Sequence, residues 1–167
     1  MLTDIVLGKL DILLLSETKI DDSFSTEQFK IPGFSIPFRL DRSYNAGGGP
    51  GLLLYIRSDI PSKLLNKVQV PLNTECIFTE INLYKRKWLL GGIYNPNKSN
   101  STNYLNILSK CLDHYMAQYD NVILLGDFNL QPTEHQMIEF CNLCNLKNIV
   151  NDSTKIEKSI VHRSYTD

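Results

Sequence analysis

The strongest constraint on the fold is a set of short apolar runs, each followed at once by polar residues. These runs are Asp11–Leu15, Trp88–Tyr94 and Val122–Leu125. Apolar runs of this length are typical of strands that are buried within a sheet. Because α/β folds commonly place their chemistry at the carboxyl ends of strands, the polar residues that follow these runs are the candidate functional residues.

The segments between these runs predict further strands and a basic hairpin tip. Phe34–Phe38 is predicted to be a short strand and Leu52–Arg57 a longer one, with the glycine-rich turn Gly47–Gly51 between them. Glu75–Leu83 is predicted to pair with the run that follows it. The tip of that hairpin, Tyr84–Lys87, is basic, and it either contacts phosphate groups or is a solvated turn.

Helical periodicity predicts three helices. Leu2–Leu10 predicts an amphipathic helix. Apolar residues between positions 105 and 116 recur at helical spacing, after an N-cap at Asn100 or Ser101. The capping-box spacing of Thr133 and Gln136 predicts a helix that ends near position 144. The alternation of strands and helices predicts a mixed α/β domain.

The composition excludes several classes of protein. The chain has 167 residues, 43% of them hydrophobic and 10% aromatic, which predicts one globular domain rather than a disordered segment. Its formal net charge of -1 argues against a protein that holds nucleic acid by bulk positive charge. Because no apolar run approaches the roughly 20 residues that span a bilayer, no membrane association is predicted.

The cysteines offer one metal-like spacing. Four cysteines are too few and too scattered for a disulfide framework, which favours a reducing compartment. Cys141-x-x-Cys144 would need two more ligands to hold zinc, and the nearby candidates, His135 and His162, lie at no standard spacing. We therefore predict that these cysteines are small buried hydrophobic residues.

Three motifs, taken together and in this order, carry a resemblance. They are Asp11 to Thr18 with its Glu17-Thr18 end, Tyr94-Asn95-Pro96-Asn97, and Gly126-Asp127-Phe128-Asn129. The chain resembles the endonuclease/exonuclease/phosphatase superfamily, which includes the apurinic/apyrimidinic endonucleases and deoxyribonuclease I. Within it, Arg39-Leu40-Asp41-Arg42 followed by Gly47–Tyr55 is similar to the endonuclease domain of LINE-type (non-LTR) retrotransposons.

The resemblance implies a fold, a cofactor and partners. The implied fold is α/β, a partial four-layer sandwich of two packed β-sheets flanked by helices, like that of deoxyribonuclease I. The implied reaction is Mg²⁺-dependent hydrolysis of a phosphodiester, with Mn²⁺ as a substitute ion. The implied partners are DNA and a reverse transcriptase domain encoded downstream, and the implied location is the nucleus.

The resemblance also implies a role for each matching residue. Glu17 matches the Mg²⁺ ligand, and Tyr94 and Asn97 match groups that contact the scissile phosphate. Asp127 matches the carboxylate that orients or deprotonates the attacking water, and Asn129 matches a neighbour that holds water or phosphate. Two further matches are Arg42, as a substrate-binding residue, and Asp167, as the aspartate of an S-x-(apolar)-D motif in which Thr166 replaces the apolar residue.

The sequence departs from the family pattern at both ends. A strand-borne Asn near the N-terminus and the S-D-H histidine are absent, and His114, His135 and His162 match no family position. We therefore expect residues 1–167 to be a single domain, incomplete at both termini, with marginal stability and weak or no activity. Three alternatives stay open: a DNA endonuclease, a sugar- or lipid-phosphate phosphatase, and an inactive remnant.

Overall fold

The structure is a computed structural model that describes residues 10–41, 51–65, 75–95 and 101–150. These ranges contain seven strands, two α-helices and a 3₁₀ turn at Thr26–Phe29. The strands are β1 (Ile12–Ser16), β2 (Phe38–Leu40), β3 (Leu52–Ile56), β4 (Ser62–Leu64), β5 (Glu75–Leu83), β6 (Arg86–Tyr94) and β7 (Asn121–Asp127). The helices are α1 (Ser101–Met116) and α2 (His135–Leu143).

The strands form two sheets. The first is antiparallel in the order β1-β3-β2, and the second has the order β4-β5-β6-β7. In the second sheet β5 and β6 are joined by a two-residue turn, whereas β6 and β7 are parallel. A parallel pair needs a crossover connection, and α1 lies in that connection.

The two sheets pack face to face around an apolar core. Every second residue of each strand points inward, as the period of two requires. The inward residues include Leu52, Leu54 and Ile56 of the first sheet and Ile77, Ile81 and Leu90 of the second. At Gly92 an added Cβ would lie 2.8 Å from Leu14 Cδ1, so the missing side chain lets the sheets approach closely there.

The outer faces of the sheets are covered by different elements. The apolar stripe of α1, together with Met137 and Phe140 of α2, packs against Phe78, Leu89 and Ile93 of the second sheet. On the first sheet, Leu53 and Tyr55 lie beneath the chain segment from Ile20 to Phe34, with Phe29 and Ile31 packed against them. The prediction of an α/β fold with two packed sheets and flanking helices is confirmed.

A single arginine ties the segment after β1 to the first sheet. Arg39, on the outward face of β2, donates two hydrogen bonds to Asp41 at 2.8 and 2.7 Å. It also donates to the carbonyl oxygens of Asp21 and Phe24 and to Thr26 Oγ1. The planar guanidinium can donate to several acceptors at once, so Arg39, oriented by Asp41, ties this segment to the first sheet.

Three local predictions were wrong. The strand predicted at Phe34–Phe38 begins only at Phe38, because Pro37 has no N–H to donate to a ladder, and Phe34 forms an isolated bridge with Arg57. The capping box is not formed, since α2 starts after Glu134, whose carboxylate accepts the N–H of Gln131. The strand at β1 is half-buried rather than buried, because it lies at the edge of the described sheet.

Several predicted features lie outside the described residues. They are the Leu2–Leu10 helix, most of the Gly47–Gly51 turn, His162, and the site residues Arg42, Asn97 and Asp167. Among the helices that the structure describes, none is both long enough and apolar enough to cross a membrane.

Gly126 generates a test of the fold. Its φ is +146°, and an added Cβ would lie 1.8 Å from the carbonyl oxygen of Ile93 on the paired strand. We expect Gly126→Ala to lower the free energy of unfolding by about 3 kcal/mol or more, because backbone cannot move aside. Gly92→Ala is the control, since its new Cβ meets only the flexible Leu14 side chain, and we expect a loss of about 1–2 kcal/mol. Equal losses in urea-unfolding measurements would contradict this.

Candidate active site at the edge between the sheets

Three polar residues form a row across the second sheet. The strand register pairs Glu75 of β5 with Tyr94 of β6, and Tyr94 in turn with Asp127 of β7. All three point inward. Side chains alternate between the two faces of a strand, and each of the three is an even number of residues from an inward residue of its own strand, such as Ile77 in β5 or Leu90 in β6. Neighbouring strands lie about 4.8 Å apart, so the row brings the two carboxylates to either side of one phenol.

The fourth residue comes from the other sheet. Glu17 follows β1, and its φ of +56° turns the chain away from the strand direction. The Tyr94 hydroxyl donates a hydrogen bond of 2.6 Å to Glu17 Oε1, and this contact joins the two sheets at one end of the sandwich. Because left-handed backbone is costly for a glutamate, the Glu17 conformation stores strain at the site.

Two asparagines fix the end of β7 against the end of β6. The backbone N–H of Asn129 donates to Asp127 Oδ1 at 2.8 Å, and the Asn129 side chain donates to the Asn95 carbonyl oxygen, also at 2.8 Å. In return, Asn95 donates its N–H to the Asp127 carbonyl and its side-chain amide to the Phe128 carbonyl, each at 2.9 Å. The Asp127 carboxylate is therefore held in one orientation.

The electrostatics of the site keep Tyr94 protonated. Burial raises the pKa of the Tyr94 hydroxyl, and the hydrogen bond to Glu17 raises it further. The negative charges of Glu17, Asp127 and Glu75 act in the same direction. Tyr94 is therefore a hydrogen-bond donor at neutral pH, and its proton holds the Glu17 carboxylate in place.

Glu75 is a site residue that sequence reasoning missed. Its side chain is buried, Oε2 accepts the Gly51 N–H at 3.2 Å, and Oε1 has no hydrogen-bond partner among the described residues. Burial raises the pKa of this carboxyl to about 7, the charge of Glu17 adds to the shift, and the Gly51 N–H opposes it. The sequence did carry a signal for it. Strand side chains alternate between the two faces, and Glu75 lies two residues before Ile77, which points inward.

The structure thus brings four predicted site residues, Glu17, Tyr94, Asp127 and Asn129, to one edge of the sandwich. It adds Glu75 to them. The roles that the resemblance implies for these residues stay predictions, as do those of Arg42, Asn97 and Asp167, which lie outside the described residues.

The two histidines that the structure describes lie on helix surfaces, and Cys76 follows Glu75 in β5 but packs on the opposite face of the strand. His114 is exposed on α1, and His135 lies 3.2 Å from Glu139 on the surface of α2. Burial raises the pKa of the Cys76 thiol to about 12 and that of Cys144 to about 11, so both favour the protonated thiol over the thiolate that zinc binds. No group of three His, Cys, Asp or Glu side chains that could hold a metal occurs among the described residues.

The donor set fits Mg²⁺ better than zinc. Glu17 and Asp127 supply hard carboxylate oxygens, and Asn129 lies beside them. Mg²⁺ keeps several of its own waters and is commonly held by one or two protein carboxylates, so it needs no cluster of three charged ligands. The buried Glu75 carboxyl adds negative charge nearby when it ionises, which a cation at this edge would offset.

Solved structures share this arrangement of two packed sheets with outer helices. The catalytic domain of human Nocturnin with bound sulfate matches with a TM-score of 0.59 and 18% identity, over 84% of this chain and 59% of that one. A mannosyl-6-phosphatase from Bacteroides thetaiotaomicron matches with a TM-score of 0.58 and 14% identity, over 84% and 60%.

D. rerio TDP2 in complex with a single-strand DNA product matches with a TM-score of 0.54 and 16% identity, over 83% of this chain and 55% of that one. The chain has the endonuclease/exonuclease/phosphatase fold. It spans less than two thirds of the length of each of these proteins. No protein-family model and no curated protein matches the sequence.

Glu75 generates a prediction about pH. Its folded-state pKa of about 7 lies above the ordinary value of 4.5, so the folded state binds this proton more tightly than the unfolded state does. The Glu75 carboxyl therefore contributes its full stabilisation of the folded state below about pH 4.5. That contribution to the free energy of unfolding is lost as the pH rises through about 7. We expect Glu75→Gln to melt higher than the parent at pH 8, by on the order of a few degrees, and to show little difference at pH 4.5.

The measurement is the melting temperature of both proteins between pH 4.5 and 8. Glutamine keeps an acceptor for the Gly51 N–H, so the substitution removes the charge and little else. A difference between the two proteins that does not change with pH would contradict the prediction.

Proposed function

We propose that this chain is the Mg²⁺-dependent DNA endonuclease domain of a LINE-type retrotransposon protein, acting in the nucleus ahead of a reverse transcriptase. The observation that carries the proposal is the Tyr94–Glu17 hydrogen bond beside Asp127, at the open edge of the sandwich. A phosphodiester that reached this edge would meet a metal-binding carboxylate, a phenol donor and a second carboxylate on neighbouring strands.

In this proposal the Glu17 carboxylate is a ligand of Mg²⁺, and the Tyr94 hydroxyl orients that carboxylate by a hydrogen bond. When bound, Mg²⁺ would neutralise charge on the phosphate and on the leaving oxygen. The Tyr94 hydroxyl fixes the Glu17 carboxylate through Oε1, and no donor among the described residues contacts Oε2, which could therefore serve as a ligand. The raised pKa of Tyr94 keeps its proton in place at neutral pH.

Asp127 positions the attacking water. Its Oδ1 accepts the Asn129 N–H, and among the described residues no donor contacts Oδ2. That second oxygen can accept a hydrogen bond from a water and take its proton as the water attacks phosphorus in line with the leaving oxygen. Asn129 serves as the support that keeps Asp127 in this orientation.

DNA is the proposed substrate because of the LINE-like motifs, and the match to TDP2 with its single-strand DNA product is consistent with it. A phosphatase is the second candidate, since the mannosyl-6-phosphatase has the same fold at similar overlap. The third is an inactive remnant of such a domain. Substrate assays separate all three.

We expect the purified chain to nick supercoiled plasmid only with Mg²⁺ or Mn²⁺. Glu17→Gln and Asp127→Asn should each reduce the nicking rate by about 100-fold or more, because each removes a group that acts on the reacting atoms. Asp113→Asn is the matched control, an exposed carboxylate on α1 whose loss should leave the rate unchanged.

Three outcomes are distinguishable in that assay. Equal background nicking by all four proteins contradicts the endonuclease and supports the remnant. Hydrolysis of mannose 6-phosphate, without nicking of plasmid and with the same loss in Glu17→Gln, supports the phosphatase instead. If the Glu17→Gln variant still nicks plasmid and a chelator abolishes that activity, the metal is bound by other residues.

Binding of the ion can be measured without catalysis. A ligand at about 100 times its dissociation constant stabilises the folded state by ~2.7 kcal/mol, so we expect saturating Mg²⁺ to raise the melting temperature by several degrees. The increase should disappear in Glu17→Gln and persist in Asp113→Asn. An equal increase in all three proteins would show that Mg²⁺ acts elsewhere on the chain.

A further inference from the structure

The hairpin between β5 and β6 ends in an exposed basic tip that lies far from the candidate active site. Tyr94 closes one end of β6 and Arg86 opens the other. At roughly 3.3 Å per residue, these two ends lie about 26 Å apart. The tip therefore cannot contact a phosphate that is bound between Glu17 and Asp127, so phosphate contact at this tip would be a separate interaction.

The tip carries positive charge that the fold does not use. Lys87 forms an ion pair with Glu80 at 3.1 Å, and Tyr119 donates a hydrogen bond to the same carboxylate. The negative charge of Glu80 is therefore already balanced by Lys87. Lys85 and Arg86 are exposed and form no ion pair with a described residue. Lys63 on the adjacent β4 differs from them, because it lies opposite Glu80 in the strand register and interacts with its charge. This surplus is local, since the whole chain has a net charge of only -1.

The turn itself is unfavourable for the residues that form it. Tyr84 and Lys85 have φ values of +51° and +61°, which two-residue hairpin turns normally assign to asparagine and glycine. Tyr84 is 92% exposed, so its ring gains nothing from the core. A strained tyrosine beside unpaired cations has no structural explanation in the described fold, and strain of this kind is common at functional sites.

A cleft adjoins the tip. It is an open surface depression lined by Arg86, Lys87, Gln118, Asp120 and Asn121. The Asn121 amide can both donate and accept hydrogen bonds, as recognition of the edge of a base requires, whereas the Gln118 amide already donates to the His114 carbonyl oxygen at 3.1 Å. Asp120 repels the phosphates of a nucleic acid and of a membrane alike, so it does not distinguish between them. The amide of Asn121 favours a ligand with hydrogen-bonding edges, such as the bases of a nucleic acid.

We propose that Tyr84, Lys85 and Arg86, here called the tip patch, bind a single-stranded segment of nucleic acid. An unpaired base stacks on the Tyr84 ring, and the flanking phosphates contact Lys85 and Arg86. A single strand fits better than a duplex because a ring that projects from a hairpin needs an unstacked base to receive it. This binding is independent of the catalytic proposal and persists if the chain hydrolyses nothing.

The test measures the binding of a fluorescein-labelled single-stranded DNA of about 20 nucleotides by anisotropy, with EDTA present to prevent cleavage. We expect Tyr84→Ala to weaken binding by roughly tenfold and Tyr84→Phe to leave it nearly unchanged, because phenylalanine keeps the stacking surface. The double variant Lys85→Ala with Arg86→Ala should reduce the slope of log affinity against log salt by about 1.4, since each lost phosphate contact contributes about 0.7.

Two further variants control for general effects. Lys110→Ala removes an exposed cation on α1 and should change neither affinity nor slope. Tyr84→Asn with Lys85→Gly relieves the left-handed strain, so it should raise the melting temperature while it weakens binding. Loss of binding in a protein that has become more stable cannot result from unfolding.

Several outcomes would overturn the proposal. One is unchanged single-strand binding in Tyr84→Ala and in the double variant, and another is an equal loss in Lys110→Ala. Tighter binding to a duplex of the same sequence, with no effect of Tyr84→Ala, would exclude stacking on an unpaired base. Loss of binding to phosphatidylserine vesicles in the tip-patch variants, with DNA binding retained, would assign the tip patch to a membrane surface.

Discussion

The candidate site depends on the register of β6 with its two neighbours. Glu75, Tyr94 and Asp127 are 19 and 33 positions apart along the chain, yet backbone pairing on both sides of β6 sets them in one row. A shift of one residue would turn Tyr94 away from the core, because side chains alternate between the faces. Helix α1 lies in the crossover that makes the β6–β7 pair parallel, and Gly126 lets the two backbones approach in this register, because an added Cβ would meet the Ile93 carbonyl. The chemistry of the site is therefore a consequence of sheet geometry.

Sequence reasoning found the residues whose position follows from local pattern. Glu17 and Asp127 each follow an apolar run, so their place at strand ends could be predicted from that pattern alone. Glu75 was missed because its importance depends on pairing with Tyr94, which the sequence does not display. The capping box at Thr133 failed for a related reason, since the Glu134 side chain turns back to the Gln131 N–H. Pairing between strands and competition among neighbouring side chains decide such cases, and neither follows from the spacing of residues.

The same edge that gathers the functional groups also destabilises the fold. Glu17, Glu75 and Asp127 all act on Tyr94 with negative charge, and Glu75 is buried with one oxygen unpartnered among the described residues. A buried carboxyl such as that of Glu75 favours protonation or a nearby cation. Glu17 and Asn129 additionally hold left-handed backbone at this edge, with φ values of +56° and +51°. The backbone strain and the buried charge thus lie at one place, and a bound cation would offset part of the charge. Such a concentration of unfavourable terms is typical of a functional site.

The two ends of β6 suggest how such a domain could handle a long polyanion. At one end Tyr94 is held by burial and by a 2.6 Å bond to Glu17, so its geometry is rigid. At the other end Tyr84 is almost wholly exposed on a strained turn beside unpaired cations. Rigid placement suits bond cleavage, which tolerates little misalignment, whereas an exposed ring suits capture of a flexible strand. Because the two ends of β6 lie about 26 Å apart, a single strand that reached both ends would make the two contacts with different nucleotides.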